Sequence, residues 1–321
     1  MKICLLGGGN VYALNLARHL NALGIDHFGI GRSKKAAPEF WVDHHYRYWG
    51  LHLIDALHGY FGVLDTERPD VIVNFAAQGE GAASFGADAH LFYRTNTLGL
   101  VQLVEGLRTR SYLKKFIQIG SSEVYGSVEQ PSRETDCPRP TSPYSVSKAA
   151  FDQHLEIMHR IHGFPANVVR PSNAYCPGQQ LHRIIPKAIL CALGETKLKL
   201  QGGGRAEKSY MHSDDLSRGI MAVIEKGDAG LVYNCGSDFP MNIREIVNLV
   251  AEACGVSYTT LVEEVPDRVG QDSRYWIDSS RLKELGWKPE VTLQDGIRGM
   301  VEWVKKYPRL LEADTTFRIR P

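Results

Sequence analysis

KICLLGGGNVYALNLARHLNALG, residues 2–24, decides the fold. An apolar run, Ile3–Leu6, meets three glycines, and beyond them Leu16, Leu20 and Leu23 recur at helical spacing. Strand, glycine turn and amphipathic helix in that order open a parallel α/β sheet. The pattern repeats along the chain. IDHFGIGRS (25–33), PDVIVNFAAQ (69–78), KKFIQIGSSEVYG (114–126) and ANVVRPSNAY (166–175) read as strands. PDVIVNFAAQ is continuously apolar, as a strand covered on both faces must be. LFYRTNTLGLVQLVEGLRT (91–109) and SPYSVSKAAFDQHLEIMHRIHG (142–163) read as helices, the second ended by Gly163 in front of Pro165.

Strand and helix alternate up to about residue 170, which predicts a Rossmann-type doubly wound parallel sheet. The pattern then loosens. IIPKAILCALG (184–194) is helical, and a strand, loop and helix follow from Leu198. VYNCGS (232–237) is a strand, and NIREIVNLVAEACG (242–255) is a helix capped by Asn242 with Glu245 three residues on. Two short helices split by Gly286-Trp287-Lys288-Pro289 close the chain. The expected division is a dinucleotide-binding domain over 1–170 with a return segment at about 205–236. A smaller C-terminal α/β domain takes 171–204 and 237–321.

Composition bounds the function. The 321 residues are 43% hydrophobic and 23% charged, with a formal net charge of +1. That balance gives no electrostatic case for nucleic acid or an anionic membrane. No apolar stretch is long enough to span a membrane, and MKICLLGGGN is too short in its apolar part for a signal peptide. Six scattered cysteines form no C-x-x-C pair, no Cys/His cluster has zinc spacing, and His44-His45 stands alone. Reduced thiols in a cytoplasmic protein without a metal are the expectation.

The glycine turn sits where a helix N-terminus offers free N–H groups and the positive end of a dipole to a pyrophosphate. A plain tight turn is the bland alternative. The second strand ends in GIGRSKK, with Arg32 and Ser33 where an acidic residue would hold the 2′-hydroxyl of NAD. A cation there suits the 2′-phosphate of NADP; a solvated basic loop is the other reading. Further on, PYSVSK puts Tyr144 and Lys148 one turn apart on one helix face. A neighbouring ammonium favours phenolate, so Tyr144 can act as a base. Serines at the C-terminal end of a parallel strand about twenty residues earlier lie where such sheets bind ligands.

NFAAQ, GSSEVYG, SPYSVSK, RPSNAY, DRVGQDSRYWID and LGWKP together make the resemblance plain. The chain is similar, nearly end to end, to the extended short-chain dehydrogenase/reductase family. Within it the chain most resembles the nucleotide-diphosphate-sugar 4,6-dehydratases, those acting on GDP-mannose and on dTDP-glucose. The resemblance implies a triad of Ser121, Tyr144 and Lys148, with Ser122 as an acid relay and Glu123 as the base that removes the C5 proton. It implies cofactor contacts at Gly7, Asn10, Val11, Tyr12, Arg32, Ser33, Ala76, Ala77, Gln78 and Asn96, besides Tyr144 and Lys148. Substrate contacts would come from Ser84, Asn173, Arg183, Lys208 and Arg274. It also implies a homodimer through a four-helix bundle built from residues 92–109 and 144–162, with Ile157, Met158 and Ile161 on the contact face. NADP is the expected cofactor and NAD the alternative.

Several positions depart from the family pattern. The glycine fingerprint becomes Gly7-x-x-Asn10-x-x-Ala13, where asparagine's tolerance of positive φ would help. Glu80 replaces a usual histidine. Lys208 stands for an arginine and loses its bidentate fork. His182, Arg183 and Gln201 differ from the residues that grip the base in relatives acting on dTDP-glucose. Glu123 sets the chain apart from plain 4-epimerases, while decarboxylases of the same family keep a glutamate there. Epimerase, decarboxylase and a non-catalytic NADP-binding sensor are therefore the rival readings.

Overall fold

Ile3, Cys4, Leu5 and Leu6 have no solvent exposure, as expected of a strand covered on both faces. The computed structural model describes residues 1–32, 47–79, 81–267 and 270–316. Its central sheet contains β1 (Lys2–Leu6), β2 (Asp26–Gly31), β3 (Arg47–Gly50), β4 (Val71–Asn74), β5 (Lys115–Ile119), β6 (Ala166–Pro171) and a seventh strand, Val232–Cys235. Every neighbouring pair is parallel, in the order seventh-β6-β5-β4-β1-β2-β3. The doubly wound parallel sheet expected from the alternation is thus observed. The chain walks outward from β1 to β3, then restarts at β4 on the other side of β1. Such a reversal leaves a crevice at the C-terminal strand ends.

The first eight α-helices in order are α1 (Val11–Ala22), α2 (Leu57–Glu67), α3 (Ala89–Tyr93), α4 (Leu100–Leu107), α5 (Pro143–His162), α6 (Ile184–Leu193), α7 (Ser213–Lys226) and α8 (Ile243–Cys254). Strand alternation decides which face each covers. Ile3 and Leu5 pack with Leu16 and Leu20 of α1 and Leu216 and Ile220 of α7. Cys4 and Leu6 point the other way, to Tyr60 of α2, Leu103 of α4 and Phe151 of α5. A separate apolar cluster gathers α6, α8 and the helix Leu293–Lys306 around the parallel pair Leu198–Gln201 and Val262–Val265.

Local signals hold closely at several ends. Gly163 closes α5 in the left-handed region at φ 65°. Asn242 and Glu245 form the reciprocal capping box at the start of α8. Three details differ from the sequence reading. The helical run 91–109 is interrupted by a π-turn, Arg94–Gly99. Leu23 ends α1 half-exposed rather than in the core. Leu293–Lys306 is not short; at 14 residues it spans almost four turns, because Ile297, Met300, Val301 and Val304 give it a continuous buried stripe.

A buried ion pair joins the sheet to α5. Arg170 on β6 donates from Nε to Asp152 Oδ2 at 2.9 Å and from Nη1 to the Tyr125 hydroxyl at 2.8 Å. Both charged partners are at most 5% exposed. Arg170→Leu would strand the carboxylate in the interior and should cost about 3–5 kcal/mol in urea unfolding. Adding Asp152→Leu should recover part of that loss. A single variant as stable as the wild type would show that the pair contributes nothing.

Candidate active site

The strand ends at the reversal open into a cleft of about 760 Å³. From the sheet side Asn10, Tyr12, Ala77, Ser121, Ser122, Glu123, Tyr144 and Lys148 line it. Asn173, Arg183 and Lys208 line it from the opposite side, with His182 and Gln201 beside them. Residues more than 190 positions apart therefore share one cavity.

The glycine turn has no space for a side chain where it matters. Gly7 has φ +69°, and a Cβ on it would lie 2.6 Å from the Ala76 amide nitrogen, just beyond β4. That close backbone approach leaves a cradle at the α1 N-terminus of the kind that takes a dinucleotide pyrophosphate. Asn10 is not in the left-handed region that the fingerprint suggested. It has φ −73° and ψ 142°, and its side-chain oxygen accepts from the Tyr12 amide at 2.9 Å, so it caps α1. The Tyr12 hydroxyl donates to the Ala174 carbonyl at 2.8 Å and accepts from the Gln179 amide at 2.9 Å, tying the turn to the far side of the cleft. Arg32 ends the described part of the second βα connection and is exposed. Ser33 and Glu80 lie outside the described residues.

Below the cleft, Asn96 is fully buried. Its carbonyl accepts from the Gln78 amide at 2.7 Å, and its amide donates to the Gln78 carbonyl at 3.0 Å and to Ser147 Oγ at 2.9 Å. Ser147 Oγ donates in turn to the Tyr144 carbonyl at 2.6 Å. Asn96 thus fixes the backbone beside the cradle to the turn of α5 that carries Tyr144 and Lys148. Ala76, Gln78, Asn96, Gly7 and Val11 shape the cleft from behind and do not line it.

Ser142 begins α5 with a capping box to Ser145. From that start, Tyr144 and Lys148 project into the same cavity as the β5 end. Lys148 is 2% exposed and donates from Nζ to the Ile119 carbonyl at 2.6 Å. Burial pulls its pKa down to about 8, against the opposing pull of Asp152. Ser121 caps the single turn Ser122–Tyr125, its hydroxyl accepting from the Glu123 amide at 3.2 Å. Ser84, assigned to substrate on sequence, is fully buried and away from the cleft surface. Its hydroxyl donates to the Gly81 carbonyl at 2.6 Å and accepts from the Tyr144 amide at 3.1 Å.

The far wall is cationic. Lys208 Nζ donates to the Asp272 carbonyl at 3.2 Å and lies 3.2 Å from the Tyr275 ring centroid. Arg274 sits on the adjoining strand, but Glu207 engages its guanidinium and it does not line the cleft. Lys187, Lys199, Gln179, Asp267 and Gln271 line the cleft and were missed in the sequence. Lys187 and Lys199 are lone polar residues on a helix and a strand, and Gln179, Asp267 and Gln271 lie in loops, so none carries a local signal of the cavity it faces. Among the described residues no group of His, Cys, Asp and Glu could hold a metal, and no helix is long and apolar enough to cross a membrane.

Comparison with known proteins follows the same lines. The sequence model of the NAD dependent epimerase/dehydratase family matches residues 3–236. A dTDP-glucose 4,6-dehydratase of Streptomyces griseus is 40% identical over 240 residues, 74% of this chain and 72% of that protein. The crystal structure of a dTDP-glucose 4,6-dehydratase from Streptomyces venezuelae with NAD bound superposes with a TM-score of 0.86. It is 27% identical and covers 97% of this chain and 99% of that one. A UDP-glucose 4-epimerase of Thermus thermophilus in complex with NAD gives a TM-score of 0.88 at 25% identity, over 96% of this chain and 100% of that one.

The depressed pKa of Lys148 has a thermodynamic signature. Between about 8 and the ordinary lysine value of 10.5 the unfolded chain holds a proton that the folded chain has released. Stability conferred through this group therefore rises with pH across that window, at up to about 1.4 kcal/mol per unit. Lys148→Met should be more stable than the wild type below pH 8, with the gap closing as pH approaches 10. Urea unfolding of the cofactor-free chain at several pH values measures the gap, and a pH-independent difference would contradict the assignment.

Proposed function

The chain belongs to the NAD dependent epimerase/dehydratase family, and from that membership we propose that it is a nucleotide-diphosphate-sugar 4,6-dehydratase. The observation that carries this reading is Glu123 in one cleft with Ser121, Tyr144 and Lys148. The similarity to dTDP-glucose 4,6-dehydratases supports it.

Asn10 and Tyr12, on the turn that Gly7 shapes from behind, would hold the dinucleotide, with Tyr144 and Lys148 beside its reactive end. When bound, the nicotinamide dinucleotide would supply reversible hydride transfer, first from C4 of the sugar and then to C6. Tyr144, held anionic by the Lys148 ammonium, removes the 4-hydroxyl proton. Ser121 donates a hydrogen bond to the forming carbonyl oxygen. The ketone acidifies the C5 proton, which Glu123 removes. The C6–O bond breaks, and the hydroxide leaves as water with a proton from Glu123, directly or through Ser122. The proton first taken by Tyr144 balances the one needed at C5 when the double bond is reduced. The net change is loss of one water, giving a 4-keto-6-deoxy sugar.

The substrate side rests on the cationic wall. Lys208 and Arg183 would neutralise the diphosphate, and Asn173 would contact the sugar-phosphate linkage. The division into a dinucleotide domain over 1–170 and 205–236 and a substrate domain over the remainder is part of the proposal. So is a cytoplasmic homodimer. Leu98, Val146, Ile157 and Ile161 leave an apolar face exposed on and beside α4 and α5, while Met158 turns inward and belongs to the core. NADP is preferred to NAD because Arg32 follows β2 without a carboxylate, although the related structures hold NAD.

Glu123→Gln should abolish water loss, by at least about 100-fold, while C4 oxidation persists in part. The assay incubates dTDP-glucose, UDP-glucose and GDP-mannose with the enzyme and follows product mass. A variant forming the keto-deoxy product at the wild-type rate would remove Glu123 from this role. Loss of CO₂ when UDP-glucuronate is assayed alongside, or an unchanged mass with inverted configuration, would favour the decarboxylase or the epimerase. Arg32→Glu should weaken NADP binding about tenfold or more and leave NAD nearly unaffected; equal loss of both would overturn the NADP preference.

A further inference from the structure

Gly81 stands between the two halves of the proposed chemistry. Its backbone is in the right-handed helical region, at φ −55° and ψ −42°, so any residue could adopt it. The space around it is what excludes a side chain. A Cβ on Gly81 would lie 2.7 Å from Glu123 Oε2 and 3.7 Å from Ser142 Oγ. The Gly81 carbonyl accepts from Ser84 Oγ, and the same hydroxyl accepts from the Tyr144 amide. A short chain of contacts therefore runs from the Glu123 carboxylate, across the bare face of Gly81, through Ser84, to the start of the helix that carries Tyr144.

We propose that Gly81 and Ser84 are positioning residues that set where the Glu123 carboxylate stands relative to Tyr144. This rests on the dehydratase reading above and adds to it the means by which the elimination base is registered to the oxidation base. The two steps act on adjacent carbons of one bound sugar, so Tyr144 and Glu123 must reach C4–O and C5–H without the substrate leaving. Tyr144 lies on α5 and Glu123 on the β5 loop, and the bridge through Gly81 and Ser84 spans the space between these elements.

Glycine matters here for room, not for backbone freedom. An added methyl would push on the end of a flexible side chain. The chain should therefore fold, with the carboxylate displaced by roughly 0.7 Å to reach ordinary contact. A displacement approaching 1 Å from a productive geometry can cost about 100-fold in rate.

The test uses the full chain with its dinucleotide and the three nucleotide-sugars above. Gly81→Ala is expected to melt close to the wild type and to bind dTDP, UDP and GDP unchanged. It should lose water about 100-fold more slowly and should exchange C5 hydrogen with deuterated solvent correspondingly slowly. Glu123→Asp, one methylene shorter, should recover at least tenfold in the Gly81→Ala background while slowing the otherwise wild-type enzyme. Ser84→Ala should also slow water loss more than cofactor reduction, and it carries the test should Gly81→Ala not fold. Wild-type kcat in Gly81→Ala, or additive effects in the Glu123→Asp pair, would overturn the positioning role and leave the dehydratase reading intact. A wild-type enzyme that removes no water from any substrate would instead defeat the reading itself.

Discussion

The arrangement of the cleft depends on the close approach of Gly7 to the chain leaving β4. A single methyl group on Gly7 would run into the backbone of Phe75 and Ala76. The contact joins the ends of two adjacent parallel strands at the point where the sheet reverses direction. It holds α1 with its N-terminus facing the crevice, and it lets the segment 75–79 run along one wall of the cleft. Asn96 then pins that segment to α5 through Gln78 and Ser147. The position of Tyr144 and Lys148 follows from a glycine more than 130 residues away in sequence.

Burial of the cationic side chain next to the phenol has two consequences that pull in opposite directions. Desolvation disfavours the ammonium form of Lys148, which weakens the very charge that would hold Tyr144 anionic. The Ile119 carbonyl and the field of Asp152 work against that loss, and the Asp152–Arg170 pair is itself almost fully enclosed. The charge at the active site is thus supported by the Asp152 carboxylate, itself paired with Arg170 one layer further in. Interior charges of this kind are costly when left without their partners, so the chemistry and the stability of the sheet share residues.

The sequence made the central architecture legible because its signals are local and repeated. Fully apolar strand segments, Gly163 after α5 and the Asn242–Glu245 box all report their surroundings within a few residues. Tyr144 and Lys148 were legible as a pair because helical periodicity alone puts them on one face. The π-turn at Arg94–Gly99 was not, since it turns Asn96 toward Gln78 and Ser147, contacts that exist only after folding. Ser84 could be named but not understood: its neighbours are Gly81 and Tyr144, and only the folded chain shows that it bridges them. Lys187 and Lys199 look like ordinary surface lysines until α6 and the strand Leu198–Gln201 close over the cleft.

The fold by itself does not choose the reaction. A 4-epimerase superposes on this chain as well as a 4,6-dehydratase does, as expected when oxidation at C4 opens both routes. What differs must lie in groups that act after the ketone forms. Among the described residues, the carboxylate that lines this cleft beside the serines and the phenol is Glu123, held on a single helical turn that Ser121 caps. The capped turn fixes the backbone from which Glu123 projects, so where its flexible side chain stands depends on the neighbours around the carboxylate. Gly81 leaves it room on one side. On the proposed reading, the choice between inverting C4 and removing water from C5–C6 rests on Glu123 and on the room that Gly81 leaves beside it.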